Sequence, residues 1–354
     1  MDSLFRALRD RYLDGTLTPV GNRLTAEVSP PYPDDFAVVP AEGTDSWRLL
    51  ESIGRQELDE GRVGLVVLAG GMATRFQWDH PKALFPIHEG ISFLGWKLMW
   101  AHDQMGDGAP CYIMTSFHTH DAIAAHLEEN GWFGLEPDQV HLFRQGRMPR
   151  LDPDGSPFAG LPGHDAEAAP GHGDFGPMFR SSGLLDAFLA NGGRTLLFSN
   201  VDNLGATPDP LLIGMHLKSG KTMTAEVARK AAGDKGGAPA RVSGRLQLVE
   251  GFALPEGFDH GSLTHFNTAT YMFDATALDQ DLELPWYIVE KNLDGHPVLQ
   301  FERLAGDLSC VLDLGLIEVR RESRFIPVKS QSDLPEARAA IRSKAEELDR
   351  LPVR

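Results

Sequence analysis

Cysteine and positive charge are both scarce in this sequence. Only two cysteines, Cys111 and Cys310, occur among 354 residues, so we expect no disulfide framework and favour a reducing, cytoplasmic location. The 33 lysines and arginines are outnumbered by 50 aspartates and glutamates, which gives a formal net charge of −17. A negative balance of this size argues against nucleic acid or an anionic membrane surface as a partner.

Long hydrophobic runs are missing as well. No stretch of 18 apolar residues occurs, and the charged first 15 residues lack the apolar core of a signal peptide. The sequence therefore predicts neither a membrane-spanning helix nor a secretory leader. No GxSxG motif and no Cys/His signature supports a hydrolase. With 42% hydrophobic residues, the chain can form one large domain or two modest ones.

Strand-like and helix-like segments alternate along most of the chain. Apolar runs predict strands at 64–68, 111–115, 140–143, 195–199, 222–227, 245–249 and 270–273. Amphipathic patterns predict helices at 4–13, 93–103, 121–130, 182–191 and 335–350. This alternation predicts an α/β fold with a mostly parallel sheet. We expect an N-terminal segment at 1–60 that packs on the core, a main domain at 61–335 and a C-terminal helix at 336–354.

The stretch LVVLAGGMATRFQWDHPKALFP at 65–86 is the most informative part of the sequence. Its apolar start predicts a buried strand that runs into Ala69, Gly70 and Gly71, where backbone N–H groups can approach a phosphate. Arg75 and Lys82 then supply positive charge. The stretch is neither a P-loop nor a GxGxxG dinucleotide turn. It resembles the nucleotide loop of sugar-1-phosphate nucleotidylyltransferases, LxGGxGTR followed by PK.

The segment LLFSNVDNLGA at 196–206 starts with an apolar strand that ends in polar residues, among them Asn200 and Asp202. A carboxylate at the carboxyl end of a strand is well placed for Mg²⁺, which takes oxygen ligands and shares its shell with substrate phosphates. Asparagine and aspartate are also common turn residues. The segment alone therefore leaves a metal site and a plain turn equally open.

Two further segments contain candidate phosphate ligands. PGHGD at 170–174 places His172 between glycines, either in a loop pressed against a nucleotide or in an ordinary surface loop. In SRFIPVKSQSD at 323–333, Lys329 either reaches a polyphosphate from the side opposite Lys82 or belongs to a solvated charged face. His118 and His120 form an HxH pair, but no third zinc ligand follows at a suitable spacing.

Taken together, these segments resemble the eukaryotic-type UDP-glucose pyrophosphorylases, the UTP–glucose-1-phosphate uridylyltransferase family. The resemblance runs in order through roughly residues 60–335. It includes SFLGWK at 92–97, FRQGRMPR at 143–150, PGHGD at 170–174, SNVDNLGAT at 199–207, GRLQLVE at 244–250, FNT at 266–268 and SRFIPVKSQSDL at 323–334. It implies a Rossmann-like, mostly parallel mixed sheet with flanking helices, of the nucleotide-diphospho-sugar transferase type.

The resemblance also implies roles for individual residues. Gln145 and Gly171 would contact uracil, and His172 would lie near the substrate phosphates. Lys82, Arg75 and Lys329 would act as catalytic cations, and Asp202 would bind Mg²⁺. Gly237, Glu250 and Asn267 would face the sugar. The full set of substrate-binding residues would be Ala69, Gly70, Gly71, Gln145, Gly171, His172, Asn200, Gly237, Glu250 and Asn267.

The sequence departs from the family pattern at four positions. Ala73 stands where a glycine is usual, and Arg75 resembles the related UDP-N-acetylhexosamine pyrophosphorylases more than the glucose enzymes. Ala269 and Thr270 replace two asparagines, which predicts a roomier sugar pocket. The sequence also ends soon after the PVK motif, without the C-terminal β-helix that assembles family members. We therefore expect a monomer or a small homo-oligomer.

The expected activity is Mg²⁺-dependent transfer of a uridylyl group from UTP to a sugar 1-phosphate, with glucose 1-phosphate as first choice. The attacking phosphate oxygen is already anionic, so no general base is needed. One alternative is a pyrophosphorylase for UDP-N-acetylglucosamine or another UDP-sugar. Another is a catalytically silent nucleotide-sugar binding protein. The presence of Lys82, Asp202 and Lys329 favours an enzyme.

Overall fold

The computed structural model describes residues 3–106, 108–231, 234 and 236–350. The helices in this part of the chain are α1 Ser3–Leu13, α2 Asp45–Asp59, α3 Phe93–Met105, α4 His120–Glu129, α5 Phe175–Ser181, α6 Leu184–Ala190, α7 Pro210–Ser219, α8 Arg321–Arg324 and α9 Leu334–Arg350. The strands are β1 Val28–Ser29, β2 Phe36–Val38, β3 Val63–Leu68, β4 Pro86–His88, β5 Ile91–Ser92, β6 Cys111–Thr115, β7 Val140–Arg144, β8 Met148–Pro149, β9 Glu167–Ala168, β10 Thr195–Asn200, β11 Met223–Arg229, β12 Ala238–Val242, β13 Arg245–Val249, β14 His265–Asp274, β15 Tyr287–Leu293, β16 His296–Glu302 and β17 Leu314–Glu318.

An eight-stranded sheet forms the centre of the molecule, in the order β2-β17-β11-β14-β10-β3-β6-β7. All neighbours are parallel except those of β14, which runs antiparallel to both β10 and β11. The prediction of a mostly parallel mixed sheet is confirmed. Leu68 pairs with Asn200, so β3 and β10 end side by side. The loops that follow them meet at this edge, where the reversed strand β14 begins.

Two apolar layers cover the faces of this sheet. Along β3, Leu65 and Val67 pack into one layer, whereas Val66 and Leu68 pack into the other. Side chains of a strand point alternately to its two faces, so a strand covered on both sides is apolar at every position. This explains the unbroken run of apolar residues in β3. Helices α3, α4 and α7 contribute to the first layer, and α5 and α6 contribute to the second.

Helices α2 and α7 pack with their backbones almost in contact, and neither was among the predicted helices. A Cβ atom built on Gly54 would lie 1.8 Å from the Pro210 carbonyl oxygen, and one on Gly214 would lie 1.9 Å from that of Leu50. Glycine is therefore required at both positions. Thr44 caps the start of α2, and Asp209 caps the start of α7.

Smaller units surround the central sheet. Strand β13, predicted at 245–249, belongs to a three-stranded sheet with β1 and β12 rather than to the central one. Strands β15 and β16 form a hairpin, on which Phe5 and Leu8 of α1 pack. The N-terminal segment also supplies β2 to the edge of the central sheet. The domain boundaries stay a prediction. Within the described ranges, no helix is both long and apolar enough to cross a membrane.

Candidate active site

A cavity of about 340 Å³ opens at the carboxyl edge of the central sheet. It lies where the loops after β3, β7 and β10 converge with the loop that precedes α5. Residues predicted from the sequence make up much of its lining: Gly70, Gly71, Lys82, Gln145, Gly171, His172, Asn200 and Asp202. Glu302, at the end of β16, also lines the cavity, and no sequence pattern had indicated it.

The loop after β3 is fixed by its backbone. The Ala69 N–H donates to the Met114 carbonyl over 2.8 Å, and the Lys82 N–H donates to the Gly71 carbonyl over 2.9 Å. Ala69 itself is buried beneath the loop. A Cβ atom on Gly70 would lie 2.6 Å from Oε1 of Gln145. Glycine at position 70 therefore allows the Gln145 amide to lie directly against the loop.

Lys82 and Asp202 form an ion pair in this cavity. The Lys82 Nζ atom lies 2.5 Å from Oδ2 of Asp202, and the two side chains are 15% and 22% exposed. The backbone of the Asp202 loop is held by the segment that follows α8, because Val328 N–H donates to the Asp202 carbonyl and Ile326 N–H donates to Oδ1 of Asn203. Asp202 is therefore the member of the pair with the fixed backbone, whereas the Lys82 ammonium is carried on a flexible side chain.

The donor set around Asp202 fits a magnesium ion that is shared with a substrate. The Asp202 carboxylate and Asn200 line the same cavity and offer oxygen ligands. Among the residues that the structure describes, no group of three or more His, Cys, Asp or Glu side chains could hold a metal alone. Mg²⁺ in nucleotide sites is usually bound by one or two carboxylates together with phosphate and water oxygens. A cavity lined by the carboxylates of Asp202 and Glu302 has this character.

His172 and Gln145 both have defined hydrogen-bonding roles. The Ala305 N–H donates to Nδ1 of His172 over 2.9 Å, so the neutral ring carries its proton on Nε2. Burial lowers the pKa of His172 to about 4, which keeps the ring uncharged at neutral pH. Gln145 Nε2 donates to the Gly171 carbonyl over 3.3 Å, which fixes the orientation of its amide.

Gly237, Glu250 and Asn267 form a second group beside the cavity. The Asn267 N–H donates to the Gly237 carbonyl over 2.9 Å, and a Cβ atom on Gly237 would lie 2.8 Å from Oε1 of Glu250. Burial raises the pKa of the Glu250 carboxyl, an effect that the positive charge of Lys329 opposes. The segment Ala305–Cys310 links this group to the cavity, because Ala305 contacts His172 and a Cβ on Gly306 would lie 3.8 Å from Nδ2 of Asn267.

Arg75 and Lys329 lie outside the lining of the 340 Å³ cavity. Arg75 is exposed in the 3-10 turn Thr74–Phe76, and Lys329 is exposed just before the C-terminal helix. Their proposed catalytic roles stay predictions.

Comparison with known proteins decides the family. A family model described as UTP–glucose-1-phosphate uridylyltransferase matches residues 32–347. The chain belongs to this family. It is 30% identical over 352 residues to the UTP–glucose-1-phosphate uridylyltransferase of Musa acuminata, covering 93% of this chain and 72% of that protein. The resemblance stated from the motifs and the prediction of an enzyme are therefore confirmed.

Relatives with a different sugar in their names are also similar. UDP-N-acetylglucosamine diphosphorylase 2 of Arabidopsis thaliana is 29% identical over 330 residues, which cover 80% of this chain and 65% of that protein. The fold matches that of the uridine diphosphate N-acetylglucosamine pyrophosphorylase from Trypanosoma brucei with a TM-score of 0.77, at 20% identity over 96% of this chain and 75% of that chain. The family is thus clear, and the sugar is not fixed by these similarities.

The structure shows the surroundings of three of the four departures from the uridylyltransferase pattern. Ala73 has φ −88°, a conformation open to any residue, so a glycine is not needed there. Ala269 has φ +55°, a left-handed conformation that asparagine tolerates better than alanine. Thr270 is buried, and its Oγ1 accepts from Asn203 Nδ2 over 3.3 Å. Thr270 therefore contacts Asn203 in the loop after β10, and the roomier sugar pocket stays a prediction.

Proposed function

We propose that the protein catalyses Mg²⁺-dependent transfer of the uridylyl group from UTP to glucose 1-phosphate, releasing pyrophosphate. The observation that carries this proposal is the Lys82–Asp202 pair, which shares one cavity with the glycine loop, Gln145 and His172. A phosphate-binding loop, a base-reading amide and a balanced pair of charges are the parts that nucleotidyl transfer needs.

Each residue would act through position or charge. Gln145 and the Gly171 backbone would hold the uracil base, and the Nε2–H of His172 would donate to a substrate phosphate. Lys82 would leave Asp202 and bind phosphate oxygens as negative charge builds up at the α-phosphate and the leaving group. Bound Mg²⁺ would neutralise phosphate charge, and Asp202 with Asn200 would hold it.

The choice of sugar within this proposal rests on sequence motifs. Glucose 1-phosphate is the first choice because the PGHGD, VDNLG and RLQLVE segments follow the glucose branch. N-acetylglucosamine 1-phosphate or another sugar 1-phosphate is the second candidate, favoured by Arg75 and by the Arabidopsis thaliana relative named above. A pocket that hydrogen-bonds a sugar hydroxyl discriminates strongly against analogues that lack it.

The test is pyrophosphate release from UTP with a panel of sugar 1-phosphates. We expect glucose 1-phosphate to give the highest kcat/KM, with weaker turnover of galactose 1-phosphate or an N-acetylated sugar. A preference for N-acetylglucosamine 1-phosphate would transfer the assignment to the second candidate. Binding of UDP-sugar without any turnover would favour the silent binding protein instead. A monomer or small homo-oligomer in the cytoplasm is part of the same proposal, and light scattering checks the oligomeric state.

A further inference from the structure

Arg303, which does not itself line the cavity, connects the two segments assigned to uracil recognition. It follows β16 and runs alongside the PGHGD loop. The Arg303 N–H donates to the Pro170 carbonyl over 2.9 Å, and the Gly173 N–H donates to the Arg303 carbonyl over 2.8 Å. Cβ atoms on Gly171 and Gly173 would lie 2.5 and 2.6 Å from Arg303 backbone atoms. The loop therefore lies directly on the Arg303 backbone.

The side chain of Arg303 reaches further, through a buried ion pair with Asp174. The side chains of Arg303 and Asp174 are 15% and 2% exposed. The second carboxylate oxygen of Asp174 accepts the Gly146 N–H over 2.6 Å. Gly146 follows Gln145 directly. Arg303 and Asp174 thus connect two segments. One is the backbone next to Gln145, and the other is the PGHGD loop, whose Gly171 carbonyl accepts from the Gln145 amide.

The Arg303 guanidinium is itself held in place. It lies over the Trp286 ring, with 4.9 Å between Cζ and the ring centroid. Stacking on an aromatic ring and a charge-assisted bond to a carboxylate both restrict a planar guanidinium. Its Nε atom is buried and has no hydrogen-bond partner. A buried donor without a partner costs free energy. The position of the guanidinium is therefore set by Asp174 and Trp286 and not by the hydrogen bonding of Nε.

We propose that Arg303 is a positioning residue for uracil recognition, acting through Asp174 on the amide of Gln145. The proposal rests on the function proposed above and identifies what sets its base selectivity. The Gln145 amide, held by Gly171, offers one donor and one acceptor. Uracil presents a carbonyl acceptor beside an N–H donor, whereas cytosine presents the reverse pair. Discrimination between UTP and CTP therefore depends on an amide that cannot shift or turn over.

The chain offers a matched control at Arg241. This residue makes the same combination of contacts, an ion pair with Asp35 at 2.5 Å and a stack on Tyr32 with Cζ 4.3 Å from the ring centroid. Arg241 lies on the small three-stranded sheet, and its contacts with Asp35 and Tyr32 involve no residue of the cavity. Arg241→Met therefore removes an equivalent structural contact without disturbing the proposed uracil site.

The experiment compares Arg303→Met, Arg303→Lys and Arg241→Met with the unaltered protein. We expect Arg303→Met to raise the KM for UTP at least tenfold and to lower the UTP-to-CTP ratio of kcat/KM at least tenfold, with kcat within about threefold. Arg303→Lys retains the charge and should recover part of the selectivity. Arg241→Met should leave both the KM and the ratio unchanged. A folded Arg303→Met protein with unaltered KM and selectivity would overturn the proposal.

Asp174→Asn supplies a second route if Arg303→Met fails to fold. It keeps an oxygen for the Gly146 N–H but removes the charge that Arg303 binds, so it should also lose selectivity. The double variant Asp174→Asn with Arg303→Lys should be no less selective than Asp174→Asn alone, because both changes break one connection. Additive losses would contradict the proposed connection. If the unaltered protein neither binds UTP nor releases pyrophosphate, the proposed function fails as well; if it is active, only the role of Arg303 is at stake.

Discussion

Asp307 combines deep burial with incomplete hydrogen bonding. It is 4% exposed, its Oδ1 accepts from the Tyr287 hydroxyl over 3.2 Å, and its Oδ2 has no partner. Burial, with a contribution from the charge of Glu250, raises its pKa to about 7. A carboxyl whose pKa is higher in the folded protein than in the unfolded chain stabilises the fold below the unfolded pKa. That stabilisation is lost as the pH rises towards the folded pKa.

Asp307→Asn should therefore stabilise the protein more at pH 8 than at pH 4.5. At about 1.4 kcal/mol for each tenfold change in an acid dissociation constant, the difference should be roughly 3 kcal/mol in the free energy of unfolding. Urea unfolding at both pH values measures it. Asp281→Asn, at a carboxylate that is 90% exposed, is the control for the substitution itself. An equal effect of Asp307→Asn at both pH values would contradict the raised pKa of Asp307.

Lys82 and Asp202 are the residues at which a charge change should matter most for catalysis. Lys82→Ala should slow pyrophosphate release by a few hundredfold, since losing one preorganised charge at a reacting phosphate costs about 3–4 kcal/mol. Lys230→Ala is the control, because Lys230 is half-buried, donates to the His260 carbonyl and does not line the cavity. Near-full activity of Lys82→Ala would refute the proposed binding of phosphate oxygens by Lys82.

Asp202→Asn should be nearly as damaging, because it keeps the size of the side chain and loses the charge that Mg²⁺ needs. The requirement for a divalent cation is checked by adding excess chelator to the unaltered protein. Undiminished turnover in chelator would remove the metal from the mechanism.

At the scale of elements, the contact between α2 and α7 depends on two glycines. Gly214→Ala places a methyl group 1.9 Å from the Leu50 carbonyl oxygen, so the helices must move apart. Overpacking of this kind costs about 1–3 kcal/mol, and more when backbone must move. Thermal unfolding should show a clear loss of stability. Gly176→Ala, in α5 with open space around its Cβ position, should be neutral or stabilising. Equal stability of the two variants would contradict the close packing.

The elements that the sequence predicted share a strong local signal. Buried strands such as β3 and β10 have unbroken apolar runs between turn residues, and these were found almost to the residue. Helix α7 was not predicted because it is apolar around most of its circumference, which leaves no helical period to detect. Helix α2 has an amphipathic period and a Thr44 cap, and was predictable. The direction of β14 could not be predicted, because an apolar run has the same pattern in a parallel and in an antiparallel strand.

At the scale of the whole molecule, the candidate site is assembled from segments far apart in the sequence. Gly70, Gln145, His172 and Asp202 line one cavity although they span more than a third of the chain. Each motif could be recognised by its resemblance to a family. The motifs did not contain the residues that hold the site residues in place. One example is Ala305, whose N–H sets the tautomer of His172. That support comes from residues without a sequence signal of their own.

Because many segments meet in one cavity, a ligand bound there should stabilise the whole fold. Mg²⁺ with UTP should raise the melting temperature by a few degrees, since a ligand at 100 times its Kd adds about 2.7 kcal/mol. Mg²⁺ with ATP should have a smaller effect, because the cavity is proposed to accept a pyrimidine. A larger shift with ATP would contradict the assignment of Gln145 and Gly171 to the base.

The reversed strand β14 has a consequence for how such a protein can diversify. Its antiparallel course brings its first residues, and not its last, to the edge where β3 and β10 end. The proposed sugar contacts are therefore encoded at the start of β14 and beside the two ends of the β12–β13 hairpin, whereas the proposed nucleotide contacts are encoded after β3, β7 and β10. Insertions and substitutions can accumulate in one set of segments while the other stays intact. Substrate choice and nucleotide chemistry can thus evolve separately within one framework.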